Sequence, residues 1–446
     1  MHKATTRRDF LKQASAVSAG MAIGGLGMPT ESYGRVIGAN DRINFAVVGL
    51  HARGMAHLES LTKCKNTSVS HMCEVDQRYV QPFSEMAEKA FGQAPVLETD
   101  FRKLMEIKAV DAITVATPEH WHAPMAIMGL QAGKHVYLEK PCSHNPRESE
   151  LLVQAQKKYK PLIQMGNQQR SSEHTIHIIK KIKEGLIGDV YYASAWYANK
   201  RGPIGVGKEI PVPDYLDWDL WQGPAPRRPY KDNLHPYNWH WFWHYGTGET
   251  LNNGTHEVDV CRWALGVDYP RKVTTSGGRY HFKDDWEFYD TLVTGYDYGD
   301  KTIVWEGLSC QGKKTYNRGR GSLIHGTEGT ILIDRTSYIH FDRKEKIVEE
   351  VKVGGNKQND TSNLIGGGDL TTKHVQNLIN AIRTGEKLNS PIEDASISVD
   401  MLLLSNIAWK KNRSLDLDPK TGRILDDKDA MTMWGREYEK GWEPKV

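Results

Sequence analysis

Ile43-Asn44-Phe45-Ala46-Val47-Val48 is an unbroken run of β-type residues that ends in Gly49-Leu50-His51-Ala52-Arg53-Gly54-Met55. Ala56, Leu58 and Leu61 then continue in a helical pattern. Strand, glycine turn and helix in that order open a dinucleotide-binding Rossmann domain. The first glycine permits the tight turn and the last lets helix pack on strand. The helix N-terminus then offers N–H groups to a diphosphate. Gly49, Arg53, Gly54 and Met55 are therefore expected beside a cofactor. His51 stands where the fingerprint wants its second glycine, and its side chain is expected to crowd the diphosphate.

Working outward, a second strand over residues 68–73 runs into Glu74-Val75-Asp76, about 25 residues after Gly49, the spacing of the ribose-binding acid. A carboxylate there holds both ribose hydroxyls and repels a 2′-phosphate, so Glu74 predicts NAD over NADP. A third β-type run, residues 112–116, leads into Thr117-Pro118-Glu119-His120-Trp121-His122, a helix to about Gln131, and a further strand ending in Glu139-Lys140-Pro141.

The stretch 117–141, TPEHWHAPMAIMGLQAGKHVYLEKP, resembles the glucose-fructose oxidoreductase and inositol dehydrogenase family, Gfo/Idh/MocA, whose marks are the TP loop and the EKP turn. The resemblance implies that Lys140 lies between nicotinamide and substrate hydroxyl, with Glu139 and Thr117 on the cofactor side. A partly desolvated ammonium can polarise a hydroxyl or shuttle its proton. Trp121 and His122 are expected to pack along the cofactor. Residues 161–170 read as the last Rossmann strand and its exit loop, which brings Asn167 near the nicotinamide face.

Beyond it, β-type runs at 190–198, 272–282, 291–298, 301–309, 322–333, 338–341 and 347–353 are followed by helical patterns at 370–384 and 392–410. Together they predict an α/β Rossmann domain with a parallel sheet, followed by an α+β domain with a largely antiparallel open sheet. The expected divisions are a signal segment 1–34, a Rossmann domain 41–165, a substrate domain 166–415 and a tail 416–446.

Seven prolines, from Pro203 to Pro236, crowd one stretch too long and irregular for an ordinary connection. It reads as an active-site loop. Asp217-Trp218-Asp219-Leu220-Trp221 mixes carboxylates with indoles, as sugar sites do, because a sugar offers C–H faces for stacking and hydroxyls for hydrogen bonds. His240 and His244 have metal-pair spacing, but no third ligand and no HExxH glutamate accompany them, so no metal is expected.

The segment 246–259, GTGETLNNGTHEVD, resembles the family's G-G-x-x-x-D-x-G-x-H-x-x-D. There an Asp and a His four residues apart face the nicotinamide. This chain has Asn252 and His256. An amide cannot act as a general base, so proton transfer rests on His256, Lys140 or a tyrosine. A subgroup that keeps Asn here also has an upstream Tyr-x-x-His and an exported N-terminus, and includes the NAD-dependent alpha-N-acetylgalactosaminidases. Tyr237 and His240 match that Tyr-x-x-His, and Tyr197 and Tyr316 are looser matches expected in the same cleft.

Thr5-Thr6-Arg7-Arg8-Asp9-Phe10-Leu11-Lys12, followed by an Ala/Gly/Ser-rich stretch, resembles a twin-arginine export signal and predicts a periplasmic or exported protein. With 39% hydrophobic and 25% charged residues over 446, several membrane spans are excluded. Lys plus Arg number 58 against 55 acids, so charge gives no reason to expect nucleic acid. Five scattered cysteines carry no CxxC spacing. The expectation is an NAD-dependent sugar oxidoreductase that oxidises a secondary hydroxyl such as C3 on tightly held NAD, assembled as a homo-oligomer. The alternative is a glycosidase working by oxidation, elimination and reduction. A sugar-binding protein with a vestigial Rossmann fold is the third reading.

Overall fold

The computed structural model describes residues 42–352 and 369–446. The twin-arginine segment lies outside them. Six strands, β1 (Ile43–Val48), β2 (Thr67–Cys73), β3 (Val96–Glu98), β4 (Ala112–Val115), β5 (His135–Leu138) and β6 (Ile163–Met165), form an all-parallel sheet in the order β3-β2-β1-β4-β5-β6. That is the doubly wound Rossmann order. Alternation along β1 serves both faces. Phe45 and Val47 join Leu58 and Leu61 in one core, while Ala46 and Val48 join Leu104, Ala126 and Leu152 in the other.

The helix Pro146–Tyr159 shows how locally these elements are specified. Asn145 caps it by accepting from Glu148 N–H at 3.1 Å, Pro146 occupies its first turn, and Lys160 ends it at φ +70°.

The second sheet runs β14-β13-β12-β11-β7-β10-β9-β8-β15. Its strands are β7 (Val190–Ala198), β8 (Lys272–Gly278), β9 (Thr291–Asp297), β10 (Thr302–Leu308), β11 (Arg320–Gly326), β12 (Gly329–Ile333), β13 (Ser337–Asp342), β14 (Ile347–Lys352) and β15 (Leu415–Asp416). Every pairing is antiparallel except β10 with β7. The run 322–333 is two strands, because Thr327-Glu328 turns between β11 and β12. Helices Thr255–Leu265 and Ile392–Lys411 cover one face, where Val258, Cys261, Val399 and Leu402 meet Ala193, Ala195, Ile303 and Ile324.

Contacts cross the linear division at 165 and 415. Helix Asp369–Thr384 packs on the Rossmann sheet, where its Val375, Leu378 and Ile379 stripe completes the core of Phe45 and Val47. The tail also returns to that domain. Arg436 and Tyr438 bond to Glu148, and Trp442 meets Trp121 edge-on at 5.1 Å. An unanticipated helix, Glu173–Lys183, buries Ile178, Ile179 and Ile182. No helix among the described residues is long and apolar enough to cross a membrane.

Candidate active site

A continuous cleft of about 540 Å³ begins at the carboxyl ends of the parallel strands, at Val48, Cys73, Ala116 and Glu139. The strand order reverses between β1 and β4, and open α/β sheets bind ligands at such a crevice. From there the cleft continues against the second sheet and the proline-rich loop.

Gly49 has φ +79°, and a Cβ there would lie 2.8 Å from the Ala116 carbonyl oxygen. At Gly54 a Cβ would fall 1.9 Å from the Gly49 oxygen, so both glycines are needed to fold the turn. Helix Ala52–Lys63 starts with no side-chain cap, which leaves first-turn N–H groups for an anion. The His51 ring leans on Tyr79, centroids 4.4 Å apart, and both line the cleft.

Glu74 ties β2 to the glycine turn. It accepts from Leu50 N–H at 2.7 Å, Val75 N–H at 2.8 Å and Asp76 N–H at 3.0 Å. Burial pushes its pKa up and these three donors oppose that rise. Beside it Asp76 is forked by Arg78 at 2.6 to 3.2 Å, and Arg78 lies 3.9 Å from the Tyr215 ring centre.

The proline-rich loop straps this end. Gln77 N–H bonds to Tyr215 O at 2.9 Å, Asp217 N–H to Val75 O at 3.0 Å, and Trp121 Nε1–H to Trp221 O at 2.9 Å. Trp218 and Trp221 stack on each other at 4.7 Å in a small core of their own. Most of the clustered indoles therefore fasten the loop, and Trp221 and Trp239 reach the cleft wall.

Glu139 is a hub. Arg53 Nε donates to it at 2.7 Å, His57 Nε2 lies at 3.0 Å and Gln168 Nε2 donates at 3.2 Å. Burial alone would raise its pKa, but Arg53, His57 and Lys140 win and hold the carboxyl well below its usual range. A side chain at Gly166 would strike this carboxylate at 3.0 Å. His122 places its ring nitrogens 2.6 Å from Pro141 O and 2.9 Å from Thr117 O, so it staples the EKP turn to the TP loop.

Lys140 Nζ donates to both Asn252 O at 2.7 Å and Asn252 Oδ1 at 3.0 Å. Asn252 sits in one turn of π-helix, Thr250–Gly254, which leads into the helix carrying His256. Such turns break the regular ladder and recur at functional sites. Burial lowers the Lys140 pKa against the pull of Glu139 and Glu119. Burial, then Arg335, Arg320 and Lys140, drive the His256 pKa well down.

His240 has its tautomer set by its neighbour. Nδ1 lies 2.7 Å from Tyr237 O, a carbonyl that can only accept, so Nδ1 carries the proton and Nε2 keeps a lone pair. The Tyr237 hydroxyl is buried with no hydrogen bond of ordinary length, and burial raises its pKa against Arg201 and Asn252 beside it. Arg201 pairs with Glu249 at 2.7 Å, and Glu249 also takes the Asn253 amide.

The cleft is thus lined by Gly49, Arg53, Glu74, Thr117, Trp121, His122, Glu139, Lys140, Tyr237, His240, Asn252 and His256 from the sequence-based expectation. Gly54, Met55 and Asn167 lie behind its wall; Asn167 is buried with both amide atoms unpaired. Two tyrosines need correction. Tyr197 is in the core beneath the second sheet's helices, its hydroxyl taken by Asn199 at 2.7 Å, because its β7 position faces that layer. Tyr316 is 53% exposed on the 315–318 turn at φ +51°, its ring 6.0 Å from that of Trp196, and is not among the residues that line the cleft. Glu119, Gln168, Arg201, Arg320 and Arg335 line the cleft without having been anticipated. Only Glu119 carried a signal, its place in the TP loop.

The three potential metal ligands that cluster among the described residues, His281, Asp290 and Cys310, surround a different cation. Arg279 donates to Asp290 at 3.0 Å and lies 3.8 Å from Cys310 Sγ.

Residues 43–167 match the model of an oxidoreductase family with an NAD-binding Rossmann fold, and residues 193–443 match that family's C-terminal alpha/beta domain. An alpha-N-acetylgalactosaminidase of Shewanella oneidensis is 26% identical over 212 residues, which are 44% of this chain and 46% of that protein. The chain thus spans less than half the length of this curated relative. An oxidoreductase domain protein from Kribbella flavida superposes with a TM-score of 0.65 at 19% identity, over 84% of this chain and 99% of that one. A levoglucosan dehydrogenase solved with NADH and levoglucosan superposes with a TM-score of 0.64 at 18% identity, over the same shares. At such identities these structures speak for the fold alone. The glycine turn, the uncapped helix and Glu74 fit NAD, and the chain belongs to the Gfo/Idh/MocA oxidoreductase family, joining its NAD-binding Rossmann domain to its α/β C-terminal domain.

Proposed function

We propose that this chain is an NAD-dependent oxidoreductase that acts on a secondary hydroxyl of a sugar or glycoside, with C3 the first candidate. The observation that carries the reading is Lys140 Nζ on the two oxygens of Asn252, on the cleft wall where the Rossmann strand ends meet the second domain. Bound NAD supplies the hydride acceptor. As a neutral amine Lys140 has two N–H donors, which Asn252 satisfies, and a lone pair left for the substrate hydroxyl proton. Burial favours that neutral form. His256, four residues after Asn252, is a neutral partner for the same proton. Gly49, Arg53, Glu74 and Thr117 serve the cofactor, and Trp121, held under the strap, helps to retain it.

Glycoside cleavage through a transiently oxidised sugar is the second reading. The bare Nε2 of His240 and the loosely held Tyr237 hydroxyl favour it, since an elimination needs a base and an acid on the cleft wall. The relative from Shewanella is a glycosidase by name. Incubating the protein with glycosides while following NADH and aglycone release tests both. NADH without aglycone supports oxidation. Aglycone release with exchange of C2 deuterium at the turnover rate supports cleavage. Neither signal with any sugar leaves a binding protein.

Export by the twin-arginine route, followed by function in the periplasm as a homo-oligomer, belongs to the same proposal. It rests on Arg7-Arg8 and the Ala/Gly/Ser-rich stretch after them. Changing both arginines to lysine would strand the protein in the cytoplasm; continued export would refute the route.

A further inference from the structure

Charge at the substrate end of the cleft does not balance. Arg201 pairs with Glu249 at 2.7 Å, Arg320 with Glu257 at 2.6 Å and Arg53 with Glu139 at 2.7 Å. Glu119 gives its Oε2 to Thr247, and burial favours its neutral form. Arg335 lines the same cleft, half-buried, and has no hydrogen bond or ion pair among the described residues. The carboxylate that acts on it, Glu257, is already forked by Arg320, and a guanidinium so poorly neutralised away from water is costly.

The backbone that carries Arg335 is fixed. It forms the two-residue turn between β12 and β13, closed by Asp334 N–H to Ser337 O at 2.9 Å. Asp334 Oδ1 accepts from Thr336 N–H, Thr336 Oγ1, Ser337 N–H and Ser337 Oγ at 2.7 to 3.1 Å, and Oδ2 takes Arg318 at 2.6 Å. The Asp334 carbonyl is held in turn by Gln169 at 3.3 Å and His174 at 3.0 Å. A turn secured by so many donors fixes the backbone from which the arginine reaches into the cleft, a first requirement of preorganised anion recognition.

We propose that the substrate carries an oxyanion group, a carboxylate or a sulfate, and that Arg335 is its receptor. The inference rests on reading the cleft as a sugar site. A cofactor diphosphate is the other oxyanion the cleft would take, but the glycine turn after β1 and the uncapped helix that follows it would hold that group. Arg335 belongs to the second sheet and lines the same cleft as His256. A planar guanidinium takes a carboxylate or sulfate through two parallel N–H donors.

The test uses the purified protein with its bound NAD and two probe pairs: methyl glucopyranoside with methyl glucopyranosiduronate, and methyl galactopyranoside with its 6-sulfate. Binding is read from the fluorescence of the cleft tryptophans and bound NAD from denatured samples. The anionic member of at least one pair should bind roughly ten- to hundredfold more tightly, the worth of a hydrogen-bonded charge. Added salt should narrow the gap, Arg335→Met should close it, and Arg335→Lys should restore part of it. Arg335→Met should melt no lower than the parent, because it removes an uncompensated cation.

Equal binding within both pairs, or an anionic preference that survives in Arg335→Met, would overturn the proposal. So would Arg335→Met protein that lacks NAD while its sugar preference is intact, which would make Arg335 a cofactor residue. Charge preference without oxidation or cleavage of any probe would remove the enzymatic reading and leave this one standing. Oxidation without charge preference would do the reverse.

Discussion

In the cofactor half of the cleft, the buried carboxylates of Glu74 and Glu139 are surrounded by donors, three backbone amides for one and Arg53, His57 and Gln168 for the other. Across the cleft, the Tyr237 hydroxyl, the His240 Nε2 lone pair and the Arg335 guanidinium have no hydrogen bond of ordinary length among the described residues. The carboxylates of the first half are satisfied before ligand arrives, although its helix N-terminus still offers N–H groups to an anion. The second holds unmet hydrogen-bonding and charge demands that a ligand must meet, so its chemistry is written in what is missing.

Lys140→Met is the largest single disturbance of this contrast. It removes the amine that joins the Rossmann strand end to Asn252, so hydride transfer to or from any substrate should fall at least about a hundredfold, the worth of a positioned acid or base. Bound NAD measured after denaturation should stay near the parent level. Loss of NAD together with activity would move Lys140 into the cofactor half.

Glu74→Ala comes next. It strips three N–H groups of their acceptor and removes the carboxylate proposed to meet the ribose. NAD affinity should drop by roughly tenfold or more and NADP should gain relative to NAD, with some loss of melting temperature from the orphaned donors. Unchanged discrimination in a calorimetric titration would move the ribose contact to another group.

Legibility in the sequence follows the same divide. Gly49, Glu74, Thr117 and Lys140 were readable because each sits at a fixed offset from a strand end, and the sheet order then brings those ends together. In the substrate half, Lys140 meets Asn252 over 112 residues, and Arg320 meets Glu257 over 63. No local pattern specifies such pairings. Asn252 and His256 were found because a motif carried them. Arg335 was hidden, since Asp334-Arg335-Thr336-Ser337 reads as an ordinary polar turn. Tyr197 shows the opposite failure: a strand position was taken for a cleft position, although the pleat sends it into the core.

The strap allows a smaller test. Gly223 has φ +46°, and a Cβ there would sit 1.9 Å from Trp121 Cζ2. Gly223→Ala should therefore push the loop off Trp121 and speed NAD release by about five- to a hundredfold, the scale of 1 to 3 kcal/mol of local strain. Exchange of labelled NAD measures it. An unchanged exchange rate would mean that the strap does not retain cofactor.

The smallest effect separates the two roles of Asn252, as ligand contact and as partner of Lys140. An aspartate in its place keeps both oxygens but adds a negative charge next to Nζ. Opposite charge at this range favours the ammonium, so the Lys140 pKa rises. The proposed reaction uses the neutral amine, whose fraction grows as pH passes the lysine pKa. The rising limb of the single-turnover rate should therefore lie at lower pH in the parent, where burial depresses that pKa, and at higher pH in Asn252→Asp. Near neutrality the variant should be slower, yet it should approach or exceed the parent rate once the pH exceeds its shifted limb. A limb that stays in place would show that the titrating base is His256 or His240, and Lys140 would then act only as a hydrogen-bond donor to the substrate oxygen.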